Sequence, residues 1–318
     1  EYGGDTGLKN LTASVKKLNN MSQSSIRGMD ISSYTALKKA GVKYYDFDGK
    51  ETSLLKVLHD NGVNYIRIRI WNDPTNEKGE TYGGAWEKDK NDTEKMKQNV
   101  YDFTKDTIKK FQEVGADIGM VQVGNEITNG MLDIMPDYSK GETYKDTWGN
   151  AKNAKILCGY LKAGIKAVRE CTPKALVTLH LESMGYGKCS EIMNAWEQNG
   201  VDYDVFGSSF YQFWQGNSSK NALAGLQKIE NLAKSRGKMY AVMETSWLNS
   251  LKDADGTSNV IGEGHANAKV YSDDPQGQVD ALTDMYQTLL SNDNGLGAFY
   301  WEGAWIPVKA GWTNWKYN

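Results

Sequence analysis

The chain has 318 residues, of which 39% are hydrophobic, and this content supports a large folded core rather than a disordered segment. The formal net charge is −3, the pI is near 5.8, and no basic stripe is present, so we do not expect a nucleic-acid partner. No apolar run reaches the roughly 18 residues of a membrane helix, so we expect no membrane span. The three histidines lack metal-ligand spacing, which argues against a histidine-built metal site.

Apolar β-like runs alternate with amphipathic helical patterns along the chain. We predict seven strands, at residues 26–31, 65–71, 118–123, 175–181, 205–211, 239–244 and 297–301. Strict βα alternation indicates parallel strands joined by crossover helices, and no GxGxxG motif follows the first strand. We therefore predict an α/β fold, a (β/α)8 TIM barrel, with residues 1–318 as one domain and residues 1–25 as an N-terminal extension.

One βα unit, the third, is not visible in the sequence. The residues between Trp71 and the helix that begins near Thr93 contain no segment that reads as a buried strand. A barrel one strand short would expose a ladder edge and open its core. We therefore expect a segment to be missing between Gly84 and Ala85, with their Cα atoms more than the 3.8 Å of a bonded pair apart.

Two of the predicted strands deliver a glutamate to the end at which a strand turns into a loop. The first is Glu126, preceded by Asn125, and the second is Glu244. A single glutamate at a strand end is more often a salt-bridged residue of the rim. Two carboxylates at the carboxyl ends of parallel strands are the arrangement that a retaining glycosidase needs, with the carboxyl groups about 5–5.5 Å apart.

Other strand ends carry polar and aromatic residues that could wall a cleft. They are Asp30, Arg67, Arg69, His180, Tyr211, Trp214 and Trp301. Each has a plain structural interpretation, such as a turn cap, a rim ion pair or a hydrogen-bonded core histidine. The chain also has 10 Trp and 18 Tyr, more amphipathic rings than core packing requires, and sugar rings pack well on such side chains. Together these residues predict a polar, aromatic-walled cleft at one end of the barrel.

Several motifs resemble the endo-β-1,4-galactanases of glycoside hydrolase family 53. The matching segments are 28–33, 62–71, 117–126, 202–206 with 211–214, 244–246 and 300–308. The run 119–126, GMVQVGNE, is the most specific, and the resemblance extends over nearly the whole chain from about Ile26. This family has a third strand and a Trp-rich loop that the sequence lacks, and Gln212 and Gly303 stand where the family usually has proline.

The resemblance implies a role for each matching residue. Glu126 would be the general acid/base, Asn125 would contact the sugar 2-hydroxyl, and Glu244 would be the nucleophile. Arg67 or Arg69, with Tyr211, would lie against Glu244. The residues that would line the sugar subsites are Asp30, His180, Trp214, Trp301 and Trp305.

The implied activity is endo-acting hydrolysis of β-1,4-galactan, the type I arabinogalactan side chain of pectin, with no cofactor for the chemistry. The protein would be secreted or at the cell surface, and a monomer. Two alternatives stay open at this point. One is another retaining barrel glycosidase, such as a β-mannanase, xylanase or glucanase. The other is a carbohydrate-binding barrel without catalysis, which would not require both Glu126 and Glu244.

The loop after the seventh strand suggests a structural Ca²⁺ site. Oxygen-bearing side chains recur at alternate positions, at Asp253, Asp255, Thr257 and Asn259, and this spacing lets a tight loop turn its oxygens toward a hard cation. Asp, Ser and Asn are also ordinary residues of solvated turns. Bacterial members of the resembled family carry a calcium loop at this position, although Thr257 stands where they have histidine.

Overall fold

The computed structural model describes residues 13–72, 84–182, 185–215, 218–251, 261, 270–304 and 306. It divides into two compact units. The first comprises Glu1–Ile68, Phe210–Gln227 and Glu244–Asn318, and the second comprises Arg69–Ser209 and Lys228–Met243. The organisation of residues 1–318 as a single domain stays a prediction.

Strands and helices alternate along the described residues. The strands are β1 (Ile26–Asp30), β2 (Tyr44–Tyr45), β3 (Glu51–Thr52), β4 (Tyr65–Arg67), β5 (Met120–Gln122), β6 (Leu176–Leu181), β7 (Val205–Ser209), β8 (Met239–Thr245) and β9 (Gly295–Tyr300). The α-helices are α1 (Tyr34–Lys39), α2 (Leu54–Asp60), α3 (Thr93–Glu113), α4 (Tyr144–Thr147), α5 (Ala151–Cys171), α6 (Tyr186–Gln198), α7 (Ser219–Ser235) and α8 (Pro275–Leu289). All seven predicted strands are present, although several are shorter than predicted. The β2–β3 hairpin and the helices α1, α4 and α6 were not predicted.

In the first unit, β1 pairs in parallel with β4 on one side and with β9 on the other. The register places Asp30 opposite Arg67, so two of the predicted cleft residues are direct neighbours. Gly28 allows β9 to pack closely, because a Cβ at this position would lie 2.2 Å from the Phe299 ring. The β1–α1 region packs through a buried cluster of Ile31, Leu37, Leu54 and Ala304.

In the second unit, β5, β6 and β7 pair in parallel in that order. The long helices α3 and α5 begin at side-chain caps: Asp92 accepts from Lys95 N, and Asn150 accepts from Lys152 N and Asn153 N. Such caps satisfy amides that have no partner within the helix. One face of α5 is buried, and its residues Leu157, Leu161 and Val168 are almost fully inaccessible.

The described residues hold no strand between Arg67 and Met120. Residues 73–83 lie outside the described residues, so the lack of a third βα unit stays a prediction. Gly84–Asp89 forms a 3-10 helix, and the expected break between Gly84 and Ala85 stays a prediction as well. Ile66 and Ile68 alternate with the buried Arg67 and are 39% and 47% exposed, as expected of a strand whose outer face lacks a covering helix. In the described part of the chain no helix is long and apolar enough to cross a membrane.

Candidate active site

Glu244 lies in a buried polar cluster of the first unit, which we call the Glu244 cluster: Asp30, Arg67, Tyr211 and Glu244. Arg67 Nη1 donates to Glu244 Oε1 at 3.1 Å and to Asp30 Oδ2 at 2.8 Å. The Tyr211 hydroxyl donates to Glu244 Oε2 at 3.1 Å. Asp30 is fully buried, and Glu244 and Arg67 are 4% and 9% exposed. Charge-assisted bonds of this kind are stronger than neutral ones, so they fix the Glu244 carboxylate in one orientation.

Backbone pairing at the ends of the strands sets the position of Glu244. It is the sixth residue of β8, and its carbonyl oxygen accepts from Phe210 N at 2.8 Å. The next carbonyl, that of Thr245, accepts from Trp301 N, also at 2.8 Å. Because side chains alternate along a strand, this pairing determines the face on which the carboxylate lies.

Asp30 is held from its own loop as well as by Arg67. Its Oδ1 atom accepts from Ser32 N at 3.0 Å and from Ser32 Oγ at 2.7 Å. Ser33, the next residue, donates through its amide and its hydroxyl to the carboxylate of Glu302, at 3.2 and 2.5 Å. Glu302 is buried and adopts a left-handed backbone with φ of 52°. The loops after β1 and β9 are thereby joined beside the Glu244 cluster.

Glu126 lies in a second polar cluster, in the second unit, which we call the Glu126 cluster: Gln122, Asn125, Glu126, His180 and Ser209. Ser209 Oγ donates to Glu126 Oε1 at 2.6 Å and lies 2.9 Å from His180 Nε2. Gln122 Nε2 lies 3.2 Å from His180 Nδ1 and 3.1 Å from Asn125 Oδ1. His180 and Ser209 are buried, whereas Glu126 is partly exposed.

The backbone turns sharply between β5 and Glu126. Gly124 has φ of 77°, and Glu126 has φ of 50° in the left-handed region, which is uncommon for a residue with a side chain. A Cβ at Gly124 would also lie 2.7 Å from Ile127 Cγ2, so only glycine fits. Strained residues of this kind cluster at functional sites, and the strain at Glu126 is consistent with a functional carboxylate.

The remaining predicted site residues lie as follows. Arg67 contacts Glu244, and Arg69 lies over the Trp71 ring, with its Cζ 5.9 Å from the ring centroid. Trp214 is half-exposed and packs edge-on against Phe213. Trp301 is partly buried. Trp305 lies outside the described residues.

The predicted calcium ligands, Asp253, Asp255, Thr257 and Asn259, also lie outside the described residues. Within the described ranges, no group of three or more His, Cys, Asp or Glu side chains could hold a metal ion. The predicted separation of the Glu126 and Glu244 carboxyl groups stays a prediction, because the two residues belong to different units.

Sequence reasoning missed three residues of these clusters: Ser209, Gln122 and Glu302. The signal for Glu302 was present, since it follows Trp301 directly at the end of β9. Ser209 and Gln122 gave no signal, because a serine or a glutamine in a strand is ordinary. Their importance depends on cross-strand pairing, which a single sequence does not show.

A parallel α/β fold with buried carboxylates at its strand ends is typical of glycoside hydrolases built on (β/α)8 barrels. The family model for glycosyl hydrolase family 53 matches residues 26–91 and 80–318. The chain therefore belongs to glycosyl hydrolase family 53. This membership confirms the predicted barrel class and the prediction that the protein is a glycoside hydrolase.

Individual relatives agree with this assignment. An endo-beta-1,4-galactanase of Bacillus subtilis is 34% identical over 340 aligned residues, covering 92% of this chain and 73% of the relative. An arabinogalactan endo-beta-1,4-galactanase of Thermothelomyces thermophilus is 27% identical, with coverages of 88% and 90%. The solved family 53 catalytic domain of Ignisphaera aggregans superposes with a TM-score of 0.79 at 29% identity, covering 95% of this chain and 91% of that one.

The comparisons also bear on the third βα unit. The family model matches in two segments that overlap at residues 80–91, next to the stretch in which the sequence shows no third strand. The alignment with the Bacillus subtilis relative is longer than the whole of this chain, so that relative has residues with no counterpart here.

Proposed function

We propose that the protein hydrolyses internal linkages of β-1,4-galactan with retention of configuration, using Glu244 as nucleophile and Glu126 as general acid/base. The observation that carries the proposal is the bonding of Glu244, which accepts hydrogen bonds from Arg67 and from Tyr211 in a buried cluster. A carboxylate that a guanidinium holds in one orientation and stabilises by its positive charge is suited to attack an anomeric carbon.

In the first step, a Glu244 oxygen forms a bond to the anomeric carbon while the bond from this carbon to the glycosidic oxygen breaks. Glu126 gives its proton to the departing oxygen, so the leaving chain departs as a neutral alcohol. Arg67 and Tyr211 hold the attacking carboxylate in line. The products of this step are a covalent glycosyl ester on Glu244 and a Glu126 carboxylate.

In the second step, the Glu126 carboxylate takes a proton from a water molecule as the water oxygen attacks the anomeric carbon. The ester bond to Glu244 breaks, and the sugar is released with its original configuration. Glu126 is protonated again and Glu244 is a carboxylate again. Asn125, next to the acid/base, is the residue that we propose contacts the 2-hydroxyl of the bound sugar, where hydrogen bonds strengthen in the transition state.

Galactan is supported as substrate by the names of the relatives, which are galactanases from a bacterium and a fungus. Asp30, His180, Trp214, Trp301 and Trp305 are the proposed subsite residues. An intact polysaccharide does not enter a cell, so we propose that the protein acts outside the cell. We also propose that it acts as a monomer. The proposed Ca²⁺ at Asp253, Asp255, Thr257 and Asn259 pins a loop and takes no part in the chemistry.

The test is hydrolysis of β-1,4-galactan in comparison with β-mannan and xylan, followed by NMR of the first-formed product. We expect activity on galactan, with the β-anomer appearing before mutarotation. Preference for mannan or xylan would indicate a different glycosidase. An initial α-anomer would contradict the nucleophile assignment. Binding without any hydrolysis would support the carbohydrate-binding alternative.

A further inference from the structure

We propose that Gln122 and His180 are positioning residues that keep the Ser209 hydroxyl directed at Glu126, and so fix which carboxyl oxygen of Glu126 transfers the proton. The inference depends on the proposed acid/base role of Glu126. It concerns three residues on three adjacent strands: Gln122 ends β5, His180 lies in β6, and Ser209 ends β7.

The direction of the Gln122 amide is set by its backbone neighbour. Its Nε2 atom donates to the carbonyl oxygen of Gly124 at 2.9 Å. A carbonyl oxygen can only accept, so turning the amide over would place two acceptors face to face. The same nitrogen lies within hydrogen-bond distance of Asn125 Oδ1 and His180 Nδ1. With one hydrogen on the Gly124 carbonyl, the second N–H of Gln122 is shared between Asn125 Oδ1 and His180 Nδ1.

This orientation selects the tautomer of His180. Because Nδ1 faces an N–H group of Gln122, it serves as an acceptor and carries no proton. The proton of the neutral imidazole is then on Nε2, which lies 2.9 Å from Ser209 Oγ. A proton on Nδ1 would set two donors against each other in a place where His180 is fully buried.

The tautomer in turn directs the serine hydroxyl. A hydroxyl has one hydrogen, and Ser209 Oγ already accepts from His180 Nε2, so its own hydrogen is available for Glu126 Oε1 at 2.6 Å. Glu126 Oε1 accepts this bond whether Glu126 is ionised or protonated. The transferable proton is consequently confined to Oε2, and the carboxyl group keeps one rotamer through both steps of the reaction.

Gln122 also fixes the amide of Asn125. Since Asn125 Oδ1 accepts from Gln122, its Nδ2 group is the part turned toward a ligand, as contact with a sugar hydroxyl oxygen requires. One glutamine thus sets the orientation of both residues of the Asn125-Glu126 pair. Both nitrogens of His180 bond within the cluster, so its effect on Glu126 is transmitted through Ser209.

The test compares two substrates that differ in their need for acid assistance: β-1,4-galactan, and a 2,4-dinitrophenyl β-1,4-galactobioside. The activated phenolate departs without protonation, so kcat/KM on the aryl substrate does not require the acid role of Glu126. The variant Ser209→Ala removes the donor to Glu126. Its matched control is Ser208→Ala, in which a buried neighbour loses its bond to the Tyr240 hydroxyl.

For Ser209→Ala we expect kcat/KM on galactan to fall about tenfold or more, part of the 10²–10⁴ that general acid catalysis supplies, with a change below about twofold on the aryl substrate. The loss should be in kcat rather than in KM. Ser208→Ala should match the wild type on both substrates. Equal losses on the two substrates, or equal losses in the two serine variants, would overturn the proposal.

Variants of Gln122 and His180 test the proposal independently of the serine variants. Gln122→Met removes the amide donor at similar volume and should reproduce the selective loss, whereas Gln112→Met, which breaks an exposed bond to the Cys171 carbonyl, should not. His180→Gln, which can still donate to Ser209, should retain more galactan activity than His180→Leu. Equal activity of the two His180 variants would contradict the relay. If one variant does not fold, the others decide.

Glu126→Ala serves as the reference. A selective loss on galactan in this variant establishes the acid role, and the serine, histidine and glutamine variants then test the relay alone. If Glu126→Ala itself shows equal loss on both substrates, it is the proposed function of Glu126 that fails.

Discussion

Arg67 contacts Glu244 through the same nitrogen atom that it offers to Asp30. Nη1 donates to Glu244 Oε1 at 3.1 Å and to Asp30 Oδ2 at 2.8 Å, and all three side chains are buried. Two buried carboxyl groups thus accept hydrogen bonds from one nitrogen of the Arg67 guanidinium. Such an arrangement is costly for stability and is retained where a site needs a fixed anion.

Replacing Arg67 is the first prediction. Arg67→Met leaves Asp30 and Glu244 buried without their cation, and losing one partner of a buried pair costs about 3–5 kcal/mol. We expect a large drop in the midpoint of urea unfolding and loss of activity on galactan. Adding Asp30→Asn should restore part of the stability but not the activity. The control is Arg27→Met, since Arg27 lies on the same strand as Asp30. This variant should keep its activity on galactan. An inactive control would show that the loss in Arg67→Met comes from general unfolding.

Mutations of Glu126 and Glu244 should have different effects, because the two residues have different roles. Glu244→Ala removes the nucleophile and should abolish turnover of galactan and of activated aryl galactosides alike. Glu126→Ala should lose galactan hydrolysis by about 10²–10⁴-fold and spare the aryl substrates. Added azide should partly restore turnover in Glu126→Ala, because a small anion can attack the glycosyl ester without a base. Azide rescue of neither variant would contradict this division of roles.

The fold and the site could be predicted to different extents. The strands ending at Glu126 and Glu244 were predictable, because apolar runs and glycine stops are local signals. The choice between Arg67 and Arg69 was not, since it depends on the Asp30–Arg67 register between β1 and β4. Ser209 could not be found, because its contact with Glu126 joins residues 83 positions apart, one following β5 and the other at the end of β7, with β6 between these strands. The chain break expected at Gly84 followed from the absence of a third strand in the sequence, and it stays a prediction.

Calcium removal tests the loop at residues 253–259. A ligand that binds only the folded state raises the melting temperature, so Tm should be higher in millimolar Ca²⁺ than in chelator. Asp255→Ala should abolish this difference, whereas Asp48→Ala, in the turn of the β2–β3 hairpin, should keep it. A Tm that is the same in calcium and in chelator would remove the site.

Asp204 should make stability depend on pH. Burial acts to raise the pKa of Asp204, but hydrogen bonds from Arg169 and from Val177 N outweigh burial and lower this pKa below its ordinary value. A lowered pKa stabilises the fold above the ordinary carboxyl pKa of about 3.9, and this contribution is lost as the pH falls through the lowered value. Asp204→Asn should therefore be less stable than the wild type at pH 7. The difference in free energy of unfolding between the two proteins should become smaller below about pH 4.

The matched control for this prediction is Asp202→Asn. Asp202 is a more exposed partner of the same arginine, 3.4 Å from Arg169 Nη2, and exposed pairs contribute little. Urea unfolding should give the same difference in free energy of unfolding between the wild type and Asp202→Asn at pH 7 and at pH 3.5. If Asp202→Asn and Asp204→Asn respond alike to pH, the Asp204 network is not the cause.

The predicted lack of a third βα unit should leave a measurable mark on β4. Ile68 is half-exposed, so Ile68→Thr should change the free energy of unfolding by only about 0.5 kcal/mol, as surface substitutions do. Leu37→Ala, at a fully buried position of the same unit, should cost about 2–5 kcal/mol.

Inserting a family βα unit between Trp71 and Trp86 would cover the outer face of β4. The insertion should raise Tm, lower the binding of a dye for exposed apolar surface, and make Ile68→Thr as costly as a core substitution. A large cost of Ile68→Thr in the chain without the insertion would show that this face is covered, and would contradict the predicted lack of a third βα unit.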